Sequence, residues 1–150
     1  MIKIICIGSI KEKELTILIN EYLKRIQKYT KIEIIELEDY NYDIKDTLKA
    51  EAELILKHVS PKDYLITLEI EGKQLDSLEL SEKIRTTYIT NSNITFVIGG
   101  SYGLSDIVKS RSNFKLSFSR LTFPHQLFRL ILLEQIYRSF KIINNESYHK

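Results

Sequence analysis

The chain has 150 residues, 43% of them hydrophobic and 28% charged, and a formal net charge of +2. That length suits one domain with a full core, and the composition is ordinary for a globular protein. No apolar run reaches the roughly 18 residues of a membrane span, and a single cysteine, Cys6, excludes an internal disulfide and a cysteine-rich zinc site.

The opening MIKIICIGSI lacks the longer apolar region and small-residue cleavage site of a signal peptide. It reads as a strand, Ile2 to Gly8, with Cys6 expected to be a buried, inert thiol and the protein cytoplasmic. Leu15, Leu18, Ile19, Tyr22, Leu23, Ile26 and Tyr29 recur at three- and four-residue steps, one face of a helix. Lys31 to Glu38 alternates like a strand with one partly exposed face. Asp43 to Val59 is helical in pattern and Pro61 marks its end. Asp63 to Ile70 is a third strand, followed by an expected turn at Glu71-Gly72. A helix over about Ser77 to Thr90, an apolar strand from Asn93 to Gly100, a short helix near Asp106 to Ser110 and a strand from Phe114 to Ser119 follow. The last helix starts near Pro124, since proline is tolerated in a first turn.

Strict β-α alternation predicts an α/β fold over residues 1–150: a mostly parallel sheet with helices on both faces and no linker or repeat. The final helix carries Leu127, Phe128, Leu130, Ile131, Leu132, Leu133, Ile136, Tyr137 and Phe140, more than one stripe can hold. It is expected to pack on the sheet and against a second subunit. The alternative is a position deep in its own domain.

Charge is uneven. Lys109 to Lys150 holds eight Lys or Arg against two Glu, while the remainder is net acidic. A basic third of a near-neutral chain points to an anionic partner such as nucleic acid, or to a solvated basic face.

Ligands of open α/β sheets bind beyond the carboxyl ends of the strands. The first strand ends in Ile7-Gly8-Ser9, without G-x-G-x-x-G, and no P-loop or G-x-S-x-G occurs anywhere. Dinucleotide, P-loop nucleotide and nucleophile-elbow chemistry are therefore unsupported. The fourth strand enters Gly99-Gly100-Ser101-Tyr102-Gly103, a loop whose backbone can approach a ligand or simply turn tightly. The fifth enters Ser119-Arg120-Leu121-Thr122-Phe123-Pro124-His125, a second candidate wall, in which Thr122 is alternatively a helix N-cap. His58, His125 and His149 have no metal-ligand spacing. His58 suits a helix C-terminus. The chain stops at Tyr148-His149-Lys150, an aromatic, an imidazole and an ammonium together.

Six segments in combination resemble the ribosomal large-subunit methyltransferase H family of the SPOUT superfamily. They are KIICIG (Lys3 to Gly8), TLEIEGK (Thr67 to Lys73), FVIGGSYGL (Phe96 to Leu104), LSFSRLTFPHQLFR (Leu116 to Arg129), EQIYRSFKI (Glu134 to Ile142) and the terminal YHK. The resemblance covers the whole chain, with a short Asp39 to Asp46 connection. It implies a C-terminal trefoil knot, which alternation alone could not suggest. It also implies a homodimer that uses S-adenosylmethionine to methylate N3 of a pseudouridine in 23S rRNA, on the assembled ribosome. Matched by motif, the cofactor would meet Leu68, Gly99 and the run Phe118, Ser119, Arg120, Leu121, Thr122 and Phe123.

The methyl acceptor is a weakly acidic imide N–H, so the site should remove that proton or stabilise the anion. Tyr148, His149 and Lys150 are expected to close the acceptor side, completing a site on the partner subunit. His149 is the candidate proton acceptor, since imidazole titrates near neutral pH. Lys150 or Arg138 would stabilise the oxyanion, although Arg138 could instead be structural, paired with Glu134 one turn earlier. His125 and Arg129 would orient the tail or touch RNA. Rival readings are a SPOUT enzyme acting on another base, a non-catalytic RNA-binding factor and, lower, a flavodoxin-like domain.

Overall fold

Five strands and five helices alternate along residues 1–150 of the computed structural model. The strands are β1 (Ile2–Ile7), β2 (Ile32–Leu37), β3 (Tyr64–Gln74), β4 (Ile94–Ile98) and β5 (Phe114–Ser117). All pair in parallel, in the order β2-β1-β4-β3-β5. β1 and β4 are central and almost continuously apolar, as expected of strands covered on both faces. β2 is an edge strand with exposed Glu33 and Glu36.

The helices are α1 (Lys13–Ile26), α2 (Ile44–Lys57), α3 (Ser77–Thr90), α4 (Asp106–Arg111) and α5 (His125–Ile143). Two begin on acidic caps: Asp43 accepts from Asp46 N at 2.8 Å, and Asp76 forms a reciprocal capping box with Glu79. Strand alternation sends Ile2, Ile4 and Cys6 to one face, under α1, α3 and α5, and Ile5 and Ile7 to the other, under α2 and α4. Cys6 is fully buried and burial pushes its thiol up to about 12, so it is inert.

The structure departs from expectation at three places. β3 does not turn at Glu71-Gly72. It continues to Gln74 through an irregularity in which Leu68 and Lys73 both pair with Leu116. Gly72 permits this, because a Cβ there would sit 2.8 Å from the Leu116 and Lys115 carbonyl carbons. Leu18, expected on the apolar face of α1, is exposed beside Ile17. α5 is inserted between α1 and α3, so that no residue from Phe128 to Ile143 is exposed even in one chain. Within the chain α5 buries Arg129, Leu132, Leu133, Ile136, Ser139 and Phe140, while Leu127 is exposed and Phe128, Leu130, Ile131, Tyr137, Ile142 and Ile143 are only half covered.

At the opposite end of the sheet from the site, Asp63 is buried and bound by Ser60 N at 3.0 Å, Thr95 Oγ1 at 3.0 Å, Asn93 Nδ2 at 3.2 Å and Lys3 Nζ at 3.3 Å. Its carboxylate joins the starts of β1, β3 and β4.

Candidate active site

The carboxyl ends of β3, β4 and β5 open into a cavity of about 410 Å³, within the range of roughly 300–1,000 Å³ usual for small-molecule sites. Beyond β4 the chain folds back on itself: Gly103 N donates to Gly100 O at 3.1 Å and Gly103 has φ 75°. A Cβ on Gly99 would fall 2.5 Å from Gly103 O, so this hairpin requires glycine there. Gly100 rests on Ile7 and on the Glu51 carboxyl, 3.0 and 3.1 Å from where its Cβ would stand. Glu51 is buried, and burial raises its pKa more than the Tyr40 backbone hydrogen bond lowers it.

The exit from β5 is shaped by serine. Ser117 Oγ donates to Ser119 O at 3.1 Å, and Leu121 N donates to Ser119 Oγ at 3.0 Å. Phe128, on the first turn of α5, is edge-on to Phe118 at 5.0 Å and stacked on Phe123 at 5.9 Å. These rings seat the loop against the helix.

Leu68, Gly99, Phe118, Ser119, Leu121, Thr122 and Phe123 all line the cavity, joined by His125. Arg120 is exposed and lies off the wall. Thr122 is not the N-cap of α5; Pro124 occupies that place without a side-chain cap. Arg129 is not on the surface. Its side chain is 1% exposed and donates to Glu36 Oε2 at 2.7 Å and Gly8 O at 3.1 Å. Glu36 also accepts from Ile10 N, so Arg129 ties α5 to the β1–α1 turn. Glu69, Lys109, Leu116 and Phe128 also line the cavity and escaped sequence reasoning. The position of Glu69 on a strand end was a signal, whereas nothing local marked Lys109.

The terminal residues are also organised. Asn145 adopts φ 53°, Glu146 N donates to Lys141 O at 2.9 Å, and the Glu146 carboxylate takes Lys141 Nζ at 2.6 Å and Tyr29 Oη at 3.0 Å. This left-handed exit reverses the chain along α5. Tyr148 Oη then donates to Glu134 Oε1 at 3.0 Å, its ring lies edge-on to Tyr137 at 5.0 Å, and Arg138 sits 4.7 Å over it. Burial, with Tyr22 and Glu134 beside it, holds the Tyr148 phenol protonated far above its ordinary range. Arg138 Nε donates to Glu134 Oε1 at 3.1 Å, and Nη1 is 3.2 Å from His149 Nδ1. A guanidinium can only donate, so in this contact Nδ1 is the acceptor. Arg138 therefore both pairs with Glu134 and holds the tail. Lys150 is exposed and makes no ion pair.

Along α5, Arg138 lies about 20 Å from His125 at about 1.5 Å per residue. Tyr148 reaches back to Glu134, about 14 Å from His125 by the same measure, so the tail lies beside the second half of α5 and does not line the cavity. No cluster of His, Cys, Asp or Glu is arranged to hold a metal, and no helix is long and apolar enough to cross a membrane.

The sequence profile of the family described as "Predicted SPOUT methyltransferase" matches residues 1–149. A Methanococcus maripaludis protein provisionally named ribosomal RNA large subunit methyltransferase H is 54% identical over 99% of each chain. A Methanococcus vannielii protein of the same provisional name is also 54% identical over 99% of each. The ribosomal RNA large subunit methyltransferase H of Clostridium botulinum strain Kyoto is 50% identical over 99% of each. With the parallel sheet and a cleft at its carboxyl end, these matches make the chain a member of the SPOUT methyltransferase family, on the branch of the large-subunit methyltransferase H proteins.

Proposed function

We propose that this protein is a cytoplasmic homodimer that transfers a methyl group from S-adenosylmethionine to N3 of a pseudouridine in 23S rRNA, with the assembled ribosome as substrate. The observation that carries the proposal is the separation of two halves of one site: a ligand-sized cavity at the start of α5, and an ordered Tyr-His-Lys tail at its end. No tail residue lines the cavity of its own chain, and on this reading the tail completes the cavity of a second subunit. Ile17, Leu18, Leu121 and Leu127 are exposed apolar residues that such an interface would cover. The path of α5 is consistent with the trefoil threading that the family resemblance implies.

The cavity fits the cofactor. Leu68, Leu116, Phe118 and Phe128 offer apolar walls for a purine, and the Gly99–Gly103 loop brings backbone polar groups to the same wall for its hydrogen-bonding edge. Bound there, S-adenosylmethionine would supply a methyl group carried on a sulfonium. On the acceptor side, Arg138 and Lys150 would stabilise the anion spread over the imide carbonyls. His149 would accept the proton after leaving Arg138, because that contact engages its Nδ1 lone pair.

The test is methyl transfer from labelled S-adenosylmethionine to intact ribosomes from cells lacking this gene, with the modified nucleotide identified by mass spectrometry. One methyl on a 23S rRNA pseudouridine is expected. A methyl on another base, or preferential transfer to free tRNA, would overturn the substrate. Binding of RNA without cofactor binding or turnover would overturn the enzyme.

A further inference from the structure

β3 divides the cavity into two chemically different halves. Leu68 packs with the core under α5, on the side of Leu116 and Phe128. Glu69, the next residue, turns toward α4: Oε2 accepts from Thr67 Oγ1 at 2.6 Å, and Oε1 lies 3.8 Å from Lys109 Nζ. Both Glu69 and Lys109 line the cavity.

The Glu69 side chain is only 7% exposed. A carboxylate so buried ordinarily has donors on both oxygens. Here Oε1 receives no hydrogen bond, and 3.8 Å is too long for one from Lys109. The Lys109 side chain is about a third exposed, and its Nζ makes no hydrogen bond either. The pair is therefore close enough to fix two opposite charges side by side, yet leaves an acceptor and several donors free at the cavity wall. A ligand group carrying its own adjacent ammonium and carboxylate matches that pattern with both signs satisfied.

We infer that Glu69 and Lys109 form the recognition site for the α-amino-carboxylate end of the cofactor, Glu69 receiving the ammonium and Lys109 the carboxylate. This rests on the S-adenosylmethionine reading above and adds the residues that select the amino-acid end. The apolar half of the cavity then holds the purine, and the two ends of the ligand are sorted by the two faces of one strand. A contact of Glu69 with ribose hydroxyls would use the carboxylate and leave Lys109 without a ligand.

The experiment is calorimetric titration of S-adenosylhomocysteine and of 5′-methylthioadenosine, which shares the purine and ribose but lacks the amino-carboxylate. Wild type, Glu69→Gln and Lys109→Met are compared, with thermal melts of each. Wild type should prefer S-adenosylhomocysteine by roughly ten- to hundredfold, and each variant should lose most of that preference while holding methylthioadenosine within about twofold of wild type. Equal weakening of both ligands by Glu69→Gln would place ribose at Glu69 and overturn the inference. So would an intact preference in both variants with lowered melting temperatures, the mark of a purely structural ion pair. If neither compound binds wild type, the cofactor reading itself fails and takes this inference with it.

Discussion

Arg129 gives a direct test of whether the buried network at the head of α5 is structural. Arg129→Met keeps the apolar length of the side chain but removes the guanidinium from Glu36 and Gly8. Breaking a fully buried pair costs about 3–5 kcal/mol because the surviving charge is stranded. That figure is too large here, since Glu36 is 44% exposed and can be rehydrated. The substitution also relieves the buried Arg129 Nε, which has no partner. What remains is the loss of charge-assisted hydrogen bonds, about 2 kcal/mol net. For a chain of this size that corresponds to a fall in melting temperature of about 4–8 °C. Melts should be run at fixed protein concentration, because the proposed dimerisation would couple stability to concentration. Ribosome binding should be followed in parallel as a function of salt. An unchanged melting temperature, together with a salt dependence reduced by about one phosphate contact, would refute the reasoning and return Arg129 to the RNA surface.

Glu51 and Asp63 should respond to pH with opposite signs. Burial raises the folded pKa of Glu51 above its unfolded value, so its stabilising contribution exists at low pH and is lost as pH rises. Glu51→Gln should therefore raise the melting temperature at pH 8 and not at pH 4; equal gains at both would contradict this. For Asp63, burial opposes ionisation, but the hydrogen bonds from Ser60, Thr95, Asn93 and Lys3 outweigh it and the pKa is lowered. Its contribution is present above the unfolded value of about 3.9 and is lost as pH falls through the folded value. Asp63→Asn should thus destabilise at pH 7 and flatten the acid limb of the stability profile, an effect absent if Asp63 were unpaired. Gly99→Ala forces a Cβ to within 2.5 Å of Gly103 O, so cofactor binding by calorimetry should fall at least about tenfold as the loop re-forms. Removal of residues 148–150 should abolish methyl transfer while leaving cofactor affinity unchanged. A mixed dimer with a Gly99→Ala subunit should then regain part of the activity, and a truncated enzyme that still turns over would eliminate the tail from the chemistry.

The alternation of strands and helices was legible because each apolar run was short and each helical face periodic, from Ile2 through Phe114. The exceptions have local physical causes. Glu71-Gly72 resembled a turn because glycine usually marks one, yet here it admits the backbone of β5 to a continuing strand. The walls at Gly99 and Phe118 to Phe123 could be suspected from strand ends, whereas Leu68 needed the family resemblance. Glu69 and Lys109 meet only after α4 has folded onto β3, and no spacing announces a contact across forty residues. Arg129 looked like a surface cation because arginine usually is one. Its burial depends on Gly8 O and Glu36, both remote in sequence. The apolarity of α5 had two explanations, and the sequence carried no means of choosing between them, since a neighbouring helix and a neighbouring subunit demand the same residues.

On the proposed scheme α5 links the two halves of the site while keeping them apart. Its first turns are held by Phe118, Phe123 and Arg129, and its second half by Glu134, Arg138 and the returning tail. Between them Leu132, Leu133, Ile136 and Phe140 are locked between α1 and α3. Tied to Glu134 and Arg138, the tail is held along α5 and off the cavity wall of its own chain. On the proposed scheme a monomer would bind cofactor without acting on RNA. Assembly of two chains would then bring each tail to the other's cavity, so dimerisation becomes a requirement of the acceptor half-reaction and not of cofactor binding.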